Sequence, residues 1–171
     1  MGNIVLAAKI THVPTMLMSE QPGPIFGKRT QAIDGHKEIV ARAKALGADT
    51  VIVLDTHWLV NAGYHVNAAP HFKGNYTSHE FPHFIQNLEY EYEGNPALGD
   101  LIAEKAQAKG VHALSHQLDS LTLEYGTLVP MIWMNPASDL KIVSVAAWCS
   151  VHSIESSRLM GQAIKEAVEE S

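Results

Sequence analysis

Two Thr-His pairs each follow an apolar, strand-like segment of the chain. The first pair ends at His12 in the stretch AAKITHVPTM, and the second ends at His57 in VIVLDTHWLV. Neutral imidazole is the most common nitrogen ligand of first-row transition metals. The two histidines could therefore cap the strand ends through hydrogen bonds to the backbone, or they could be two ligands of one metal ion.

A metal ion held by two histidines needs a third ligand, for which a carboxylate is suited. Asp55 precedes His57 by two residues, so a regular strand would place both side chains on one face, where Asp55 could orient the imidazole. His116 follows another predicted strand in LSHQLD and takes a similar edge position, which makes it a candidate for a catalytic or substrate-contacting role. The candidate carboxylate ligands are Glu80, Asp119 and Glu124.

The other seven histidines are weaker candidates, and the four between residues 65 and 83 match no zinc-binding spacing. His36 is predicted to be an ordinary exposed or interfacial residue of a helix. The four histidines between residues 65 and 83 are predicted to be solvated loop residues, with a lining role over the site as the alternative. The seven are His36, His65, His71, His79, His83, His112 and His152.

The elements that must position the two Thr-His pairs form a strand-helix-strand unit. Residues 4–10 and 50–54 are short apolar runs typical of strands covered on both faces, and residues 30–46 show helical periodicity up to Gly47. Such a unit is expected to be parallel, with both carboxyl ends at the edge of the sheet where ligands bind. Neighbouring strands lie about 4.8 Å apart, so two imidazoles there could converge on one ion.

The rest of the chain continues the alternation of strands and helices. A polar, aromatic-rich stretch at 70–95 shows little periodicity and is predicted to have a functional role or to lie over the site. Predicted strands occupy residues 63–69, 111–115 and 141–149. One predicted helix covers 96–109 after the cap Asn95, and another runs from 154 to the end of the chain. A loop leads from the strand at 111–115 through Asp119 to EYGTLVPM at 124–131.

Composition favours a single globular domain over residues 1–171. The formal net charge of −6 disfavours nucleic acid as a partner, and neither a signal peptide nor a membrane-spanning run is apparent. The single Cys149 cannot form an internal disulfide and is predicted to be a buried small hydrophobe in a reducing, cytoplasmic protein. Because no nucleophile elbow or phosphate loop is present, a divalent-metal enzyme acting on a small molecule remains.

Several long motifs resemble the class III, LigB-like extradiol dioxygenases that act on 3,4-dihydroxyphenylacetate. They are LAAKITHVPTM, AIDGHKEI, DTHWLVN, YEGNPALG and LEYGTLVPM. The resemblance runs from residue 1 to the end of the chain and covers only the N-terminal part of the family's usual length. It implies a three-layer α/β/α fold with a mixed, mostly parallel central sheet, in agreement with the element order above.

The same resemblance implies extradiol cleavage of a catechol by O2 in aromatic catabolism, at a non-haem Fe(II) with Mn(II) or Mg(II) as alternatives. The implied ligands are two histidines, matching His12 and His57, and a glutamate from the family's C-terminal part, which this sequence does not contain. Many relatives use a histidine in Asp-His-Gly for acid/base chemistry. Here that place reads Glu124-Tyr125-Gly126. Tyr125 could donate a hydrogen bond but is a poor base at neutral pH, which leaves His116 as the nearby candidate.

Two other interpretations stay open. A zinc-dependent hydrolase could use His12 and His57 with a local carboxylate such as Glu80. A truncated, non-catalytic binding module would retain the fold without using either histidine. In each case a sheet that is open at its end favours a homo-oligomer.

Overall fold

The computed structural model describes residues 1–147 and 152–171 and contains a central four-stranded sheet between two layers of helices. A separate two-stranded hairpin completes the fold. In chain order the elements are α1 (Thr15–Ser19), α2 (Thr30–Ala45), β1 (Thr50–Asp55), β2 (Tyr64–Asn67), β3 (His71–Tyr76), β4 (Leu88–Glu93), α3 (Pro96–Ala108), β5 (Ala113–His116), α4 (Tyr125–Met134), β6 (Lys141–Ala147) and α5 (Ile154–Glu170).

The central sheet has the strand order β1-β6-β2-β5 and mixes both pairing directions. β1 pairs parallel with β6, β6 pairs antiparallel with β2, and β2 pairs parallel with β5. The predicted mixed, mostly parallel sheet is confirmed. Because the direction reverses between β6 and β2, the carboxyl end of β5 lies at the opposite edge from that of β1. His116 is the last residue of β5, in keeping with its predicted position at a strand end, although that strand runs opposite to β1.

Helices cover the sheet on both faces, which confirms the predicted three layers. Successive residues of β1 divide between the layers, because strand side chains alternate in direction. Val51 and Val53 pack on the cluster that contains Leu128 of α4. Ile52 packs on the cluster that contains Ile102 of α3 and Met160 of α5.

Capping residues define the helices that the sequence predicts best. The Asn95 side chain accepts a hydrogen bond from the Leu98 N–H at 3.3 Å, directly before Pro96 at the first turn of α3. Ser153 caps α5 in the same way, accepting from the Ser156 N–H at 3.0 Å. These bonds satisfy backbone donors that a helix start would otherwise leave unpaired.

The first predicted strand, residues 4–10, is not part of the sheet. The segment has no strand pairing, and Ile4 and Val5 are 49% and 37% exposed. An apolar run shows that a segment can form a strand, but strand formation also needs a partner edge, which local sequence does not specify. The predicted strand-helix-strand unit is therefore replaced by α2 leading into β1 at the edge of the sheet.

Two further segments differ from expectation. The stretch at 70–95 contains the antiparallel pair β3 and β4, whose alternate residues Phe72, Tyr90 and Tyr92 are buried. The sequence assigned no element to EYGTLVPM, whose residues from Tyr125 onward form the start of α4. The predicted strand at 141–149 is observed as β6 over Lys141–Ala147, whereas Cys149 lies outside the described residues. No helix in the described ranges is long and apolar enough to span a membrane.

Candidate functional site

His12 and His57 lie against each other although the expected strand before His12 is absent. Their Nε2 atoms are 2.8 Å apart, the ring centroids are 4.8 Å apart, and the ring planes differ by 65°. Both side chains are partly buried. The two predicted ligands are thus close enough to contact a single ion.

A buried histidine of α2 holds the backbone beside His12. His36 is only 2% exposed, and its Nε2 lies 2.9 Å from the Thr11 carbonyl oxygen while its Nδ1 lies 2.7 Å from the Ala32 carbonyl oxygen. The prediction of an ordinary exposed or interfacial residue is wrong. Its spacing to Ile33 and Val40, at i, i+3 and i+7, is the signal that places it on the buried face of the helix.

The backbone of His57 is held by a buried carboxylate. Asp55 is 1% exposed, and its Oδ1 accepts the N–H of His57 at 2.8 Å and that of Trp58 at 3.3 Å. Its Oδ2 accepts the hydroxyl of Thr127 at 2.7 Å. The sequence predicts that Asp55 could orient the imidazole ring if the strand continued regularly to His57. The contacts show instead that it fixes the turn that carries the ring.

Gly126 allows the first turn of α4 to approach this carboxylate. A Cβ atom at residue 126 would collide with the Asp55 carboxylate oxygen Oδ1. The close approach brings Thr127 within hydrogen-bonding range of Asp55 and places Tyr125 beside His57. The glycine of the Glu-Tyr-Gly sequence therefore has a packing reason that does not depend on backbone conformation.

The Tyr125 hydroxyl lies at the imidazole pair. Its oxygen is 2.6 Å from Nδ1 and 3.1 Å from Nε2 of His57, and it donates to Oε2 of Glu80 at 3.0 Å. Burial, followed by the hydrogen bond to Glu80, raises the pKa of Tyr125 well above its ordinary value. The hydroxyl therefore stays protonated at neutral pH, as a donor and not a base.

The three candidate carboxylates are placed differently. Glu80 approaches the pair, with Oε2 3.7 Å from Nδ1 of His57. Glu124 instead accepts the Tyr76 hydroxyl at 2.7 Å, and Asp119 is exposed in the loop after β5. Among the described residues, no group of three or more His, Cys, Asp or Glu side chains is arranged to hold a metal ion.

The segment at 70–95 lies over part of the site, in keeping with its predicted position. It supplies Glu80, and the ring of Phe81 meets the ring of Tyr125 edge-on at 6.1 Å between centroids. Three of the four histidines predicted to be solvated loop residues are exposed, and none of these three is in the imidazole pair: His71, His79 and His83.

Burial keeps the His12 side chain in the state that suits a metal ligand. Burial first, and the neighbouring His57 second, lower the pKa of His12, while Asp55 opposes them. His12 is therefore neutral at neutral pH, the state that a ligand needs. Imidazole nitrogens fit a first-row divalent transition metal better than Mg²⁺, which prefers oxygen ligands.

His116 lies with a different histidine. Its Nε2 is 2.7 Å from Nδ1 of His65, and the Trp58 ring stands edge-on to both at 6.4 and 6.2 Å. His65 was predicted to be a solvated loop residue, but it is a partly buried residue of β2. The structure thus brings Tyr125 to His12 and His57 and places His116 beyond Trp58. The catalytic roles of Tyr125 and His116 stay predictions.

The chain matches the family model described as the catalytic LigB subunit of aromatic ring-opening dioxygenase over residues 6–171. It therefore belongs to the LigB family, as the sequence motifs predicted. It is also 55% identical, over 99% of its length, to the 3,4-dihydroxyphenylacetate 2,3-dioxygenase of Escherichia coli, and spans 62% of that relative.

More distant similarities are weaker. The chain is 23% identical to the 2-aminophenol 1,6-dioxygenase beta subunit of a Pseudomonas species, over 85% of this chain and 49% of that relative. It thus spans about half to three-fifths of the curated relatives that it matches. The crystal structure of an uncharacterized Escherichia coli K12 protein aligns with a TM-score of 0.48 and 19% identity, over 70% of this chain and 41% of that one.

Proposed function

We propose that this chain takes part in extradiol ring cleavage of 3,4-dihydroxyphenylacetate by O2, in the catabolism of aromatic compounds. The observation that carries the proposal is the convergence of His12 and His57, with 2.8 Å between their Nε2 atoms, in a LigB-family chain. The 55% identity to a dioxygenase of that substrate supports the choice of catechol.

His12 and His57 would hold the metal through their Nε2 atoms. We propose Fe(II); Mn(II) is the closer alternative, and Mg(II) is disfavoured by the nitrogen donors. When bound, Fe(II) supplies a centre that binds the catechol and O2 together and passes electron density between them. A third ligand completes the proposed facial set, and no described residue stands with the two histidines in such a group.

Side chains near His12 and His57 would donate and accept the protons of the reaction. Tyr125, protonated at neutral pH, can donate a hydrogen bond to a substrate oxygen if it exchanges its partner Glu80. His116 is proposed to take the catechol proton, because burial, followed by the electrostatic effect of the neighbouring His65, lowers its pKa and keeps it neutral near pH 7. Trp58 stands between His116 and the backbone of His57.

Oxygen consumption tests the proposal directly. The purified chain is loaded with Fe(II) without air, 3,4-dihydroxyphenylacetate is added, and O2 uptake and the absorbance of the yellow ring-opened product are followed. We expect the wild-type chain to consume O2 and His57→Ala to abolish this uptake. His71→Ala, which alters an exposed histidine of β3, should leave the uptake unchanged. Absence of uptake by an Fe(II)-loaded chain, or uptake unaffected by His57→Ala, would contradict the proposal.

A zinc-dependent hydrolase is the second candidate, because Glu80 lies 3.7 Å from His57 and could activate water. Zinc-supported ester or amide cleavage that Glu80→Gln abolishes, with no oxygen consumption, would establish this alternative. A non-catalytic binding module would instead keep its metal content and ligand affinity in His12→Ala and His57→Ala.

We also propose that the chain functions in a cytoplasmic homo-oligomer. β1 and β5 are the edge strands of the central sheet. Edge strands present unpaired backbone groups that favour association. Sedimentation analysis of the purified chain tests this proposal, and a monomer at all concentrations would contradict it.

A further inference from the structure

His65 and His116 form an in-plane hydrogen bond. Their nearest nitrogens are 2.7 Å apart, the ring centroids are 5.0 Å apart, and the planes differ by only 10°. Such a centroid distance, at this nitrogen separation, requires both nitrogens to lie near the line that joins the ring centres. The two rings are therefore side by side, and one ring donates an N–H to the lone pair of the other.

A backbone carbonyl determines the direction of this hydrogen bond. The Nε2 of His65 lies 3.0 Å from the carbonyl oxygen of Ala62, which can only accept. A neutral His65 therefore carries its proton on Nε2 and presents the lone pair of Nδ1. His116 must then donate from its own Nε2, which leaves its Nδ1 as an unprotonated nitrogen.

The register of the sheet holds the two rings together. His65 lies opposite Leu114, and His116 lies opposite Asn67, so the two histidines are diagonal neighbours on one face of β2 and β5. Asp55 and His65 both pair with Ala146 and thus share that face. This is the face on which Asp55 holds the turn of His57.

Trp58 links the two histidine pairs. The Trp58 backbone N–H donates to Asp55, as the backbone N–H of His57 does. The Trp58 ring stands edge-on to the rings of His65 and His116. The His65–His116 pair is thus one side chain removed from the candidate metal ligands. A neutral base at this distance from the imidazole pair has a use in the proposed reaction, which must remove a proton from a catechol.

We propose that His65 is a positioning residue that holds His116 as the Nε2–H tautomer, with Nδ1 free to accept a proton during turnover. This inference rests on the proposed function for its use and on the hydrogen-bond geometry for its existence. The lowered pKa of His116 agrees with it, because only a neutral ring has an unprotonated Nδ1 that can act as a base. The chain of hydrogen bonds runs from His116 to His65 and on to Ala62.

Nitrogen-15 NMR of the metal-free chain at pH 7.5 tests the tautomer without any activity. We expect His116 to be protonated at Nε2 in the wild type and to populate both tautomers in His65→Leu. His65→Asn should retain the wild-type signature, because its amide oxygen can replace Nδ1 as the acceptor. Protonation of His116 at Nδ1 in the wild type, or an unchanged tautomer in His65→Leu, would overturn the inference.

Turnover of the Fe(II)-loaded chain then tests the use of that tautomer. Since acid/base groups contribute about 10²–10⁴-fold, we expect His65→Leu to lower kcat by about 10-fold with KM nearly unchanged, and His65→Asn to restore most of it. His71→Leu serves as the matched control on an exposed strand position. An active wild type with kcat unchanged in His65→Leu would overturn the positioning role. An inactive wild type with the expected NMR result would contradict the proposed function alone.

Discussion

The two histidine pairs have almost the same nitrogen separation but different ring geometry. The His12 and His57 nitrogens are 2.8 Å apart with planes tilted by 65°, whereas the His65 and His116 nitrogens are 2.7 Å apart with planes within 10°. Because a tilt about the line between two nitrogens leaves an N–H and a lone pair aligned, the angle between the ring planes does not decide which pair can share a proton. The candidate metal role of the first pair rests on the closeness of its nitrogens and on the match to the LigB family.

The scaffolds explain this difference. His65 and His116 project from adjacent strands whose register sets the rings side by side. His12 and His57 lie outside strands, in segments held through backbone groups by His36 and Asp55. Two histidine pairs with similar nitrogen separations are thus positioned in two different ways.

The largest expected difference between the pairs is in metal binding. Removal of a residue that hydrogen-bonds to a metal ligand usually lowers metal affinity by about 10- to 100-fold. His57→Ala removes a proposed ligand itself, so it should weaken Fe(II) binding by more than about 100-fold. His65→Asn should leave the affinity within a few-fold, because the second pair is not proposed to bind metal. Anaerobic titration with Fe(II) measures both, and equal losses would remove the distinction.

The contact between α4 and Asp55, which holds the turn of His57, should be sensitive to a single added methyl group. Gly126→Ala places a Cβ against the Asp55 carboxylate, and such overpacking typically lowers the free energy of unfolding by about 1–3 kcal/mol. The NMR signals of His57 should shift, while those of His65 and His116 stay in place. Urea denaturation and NMR measure these effects.

Gly161→Ala provides the matched control for this substitution. Gly161 lies inside α5 with open space at its Cβ position, so alanine there should stabilise the chain by about 0.5–1 kcal/mol. Equal effects of the two substitutions would show that the approach of α4 to Asp55 is not a close fit.

The smallest expected effect is the pH dependence that His116 contributes. Its pKa is lowered in the folded chain, so the unfolded chain binds a proton more readily as the pH falls below about 6.5. The free energy of unfolding should therefore decrease between pH 7.5 and pH 5.5, and His116→Gln should reduce that decrease. Urea denaturation at the two pH values measures it, and an unchanged decrease in the variant would contradict the assignment.

Local sequence patterns identified much of the fold and part of the site. Periodicity and caps placed α2, α3 and α5, and apolar runs placed β1, β2 and β6 within a few residues. The repeated Thr-His endings singled out His12 and His57. Such features depend on residues near one another in the chain, which is why composition and spacing could reveal them.

Contacts between distant segments decided the remainder. Whether residues 4–10 join the sheet, and whether β5 runs with or against β1, depends on partner strands far away in the sequence. The burial of His36, the pairing of His65 with His116 and the position of Gly126 against Asp55 likewise arise only when these segments pack. The sequence by itself determined which residue types were available for chemistry. The tertiary structure decided which imidazoles meet and at what angle, because strand direction and register are set by non-local pairing.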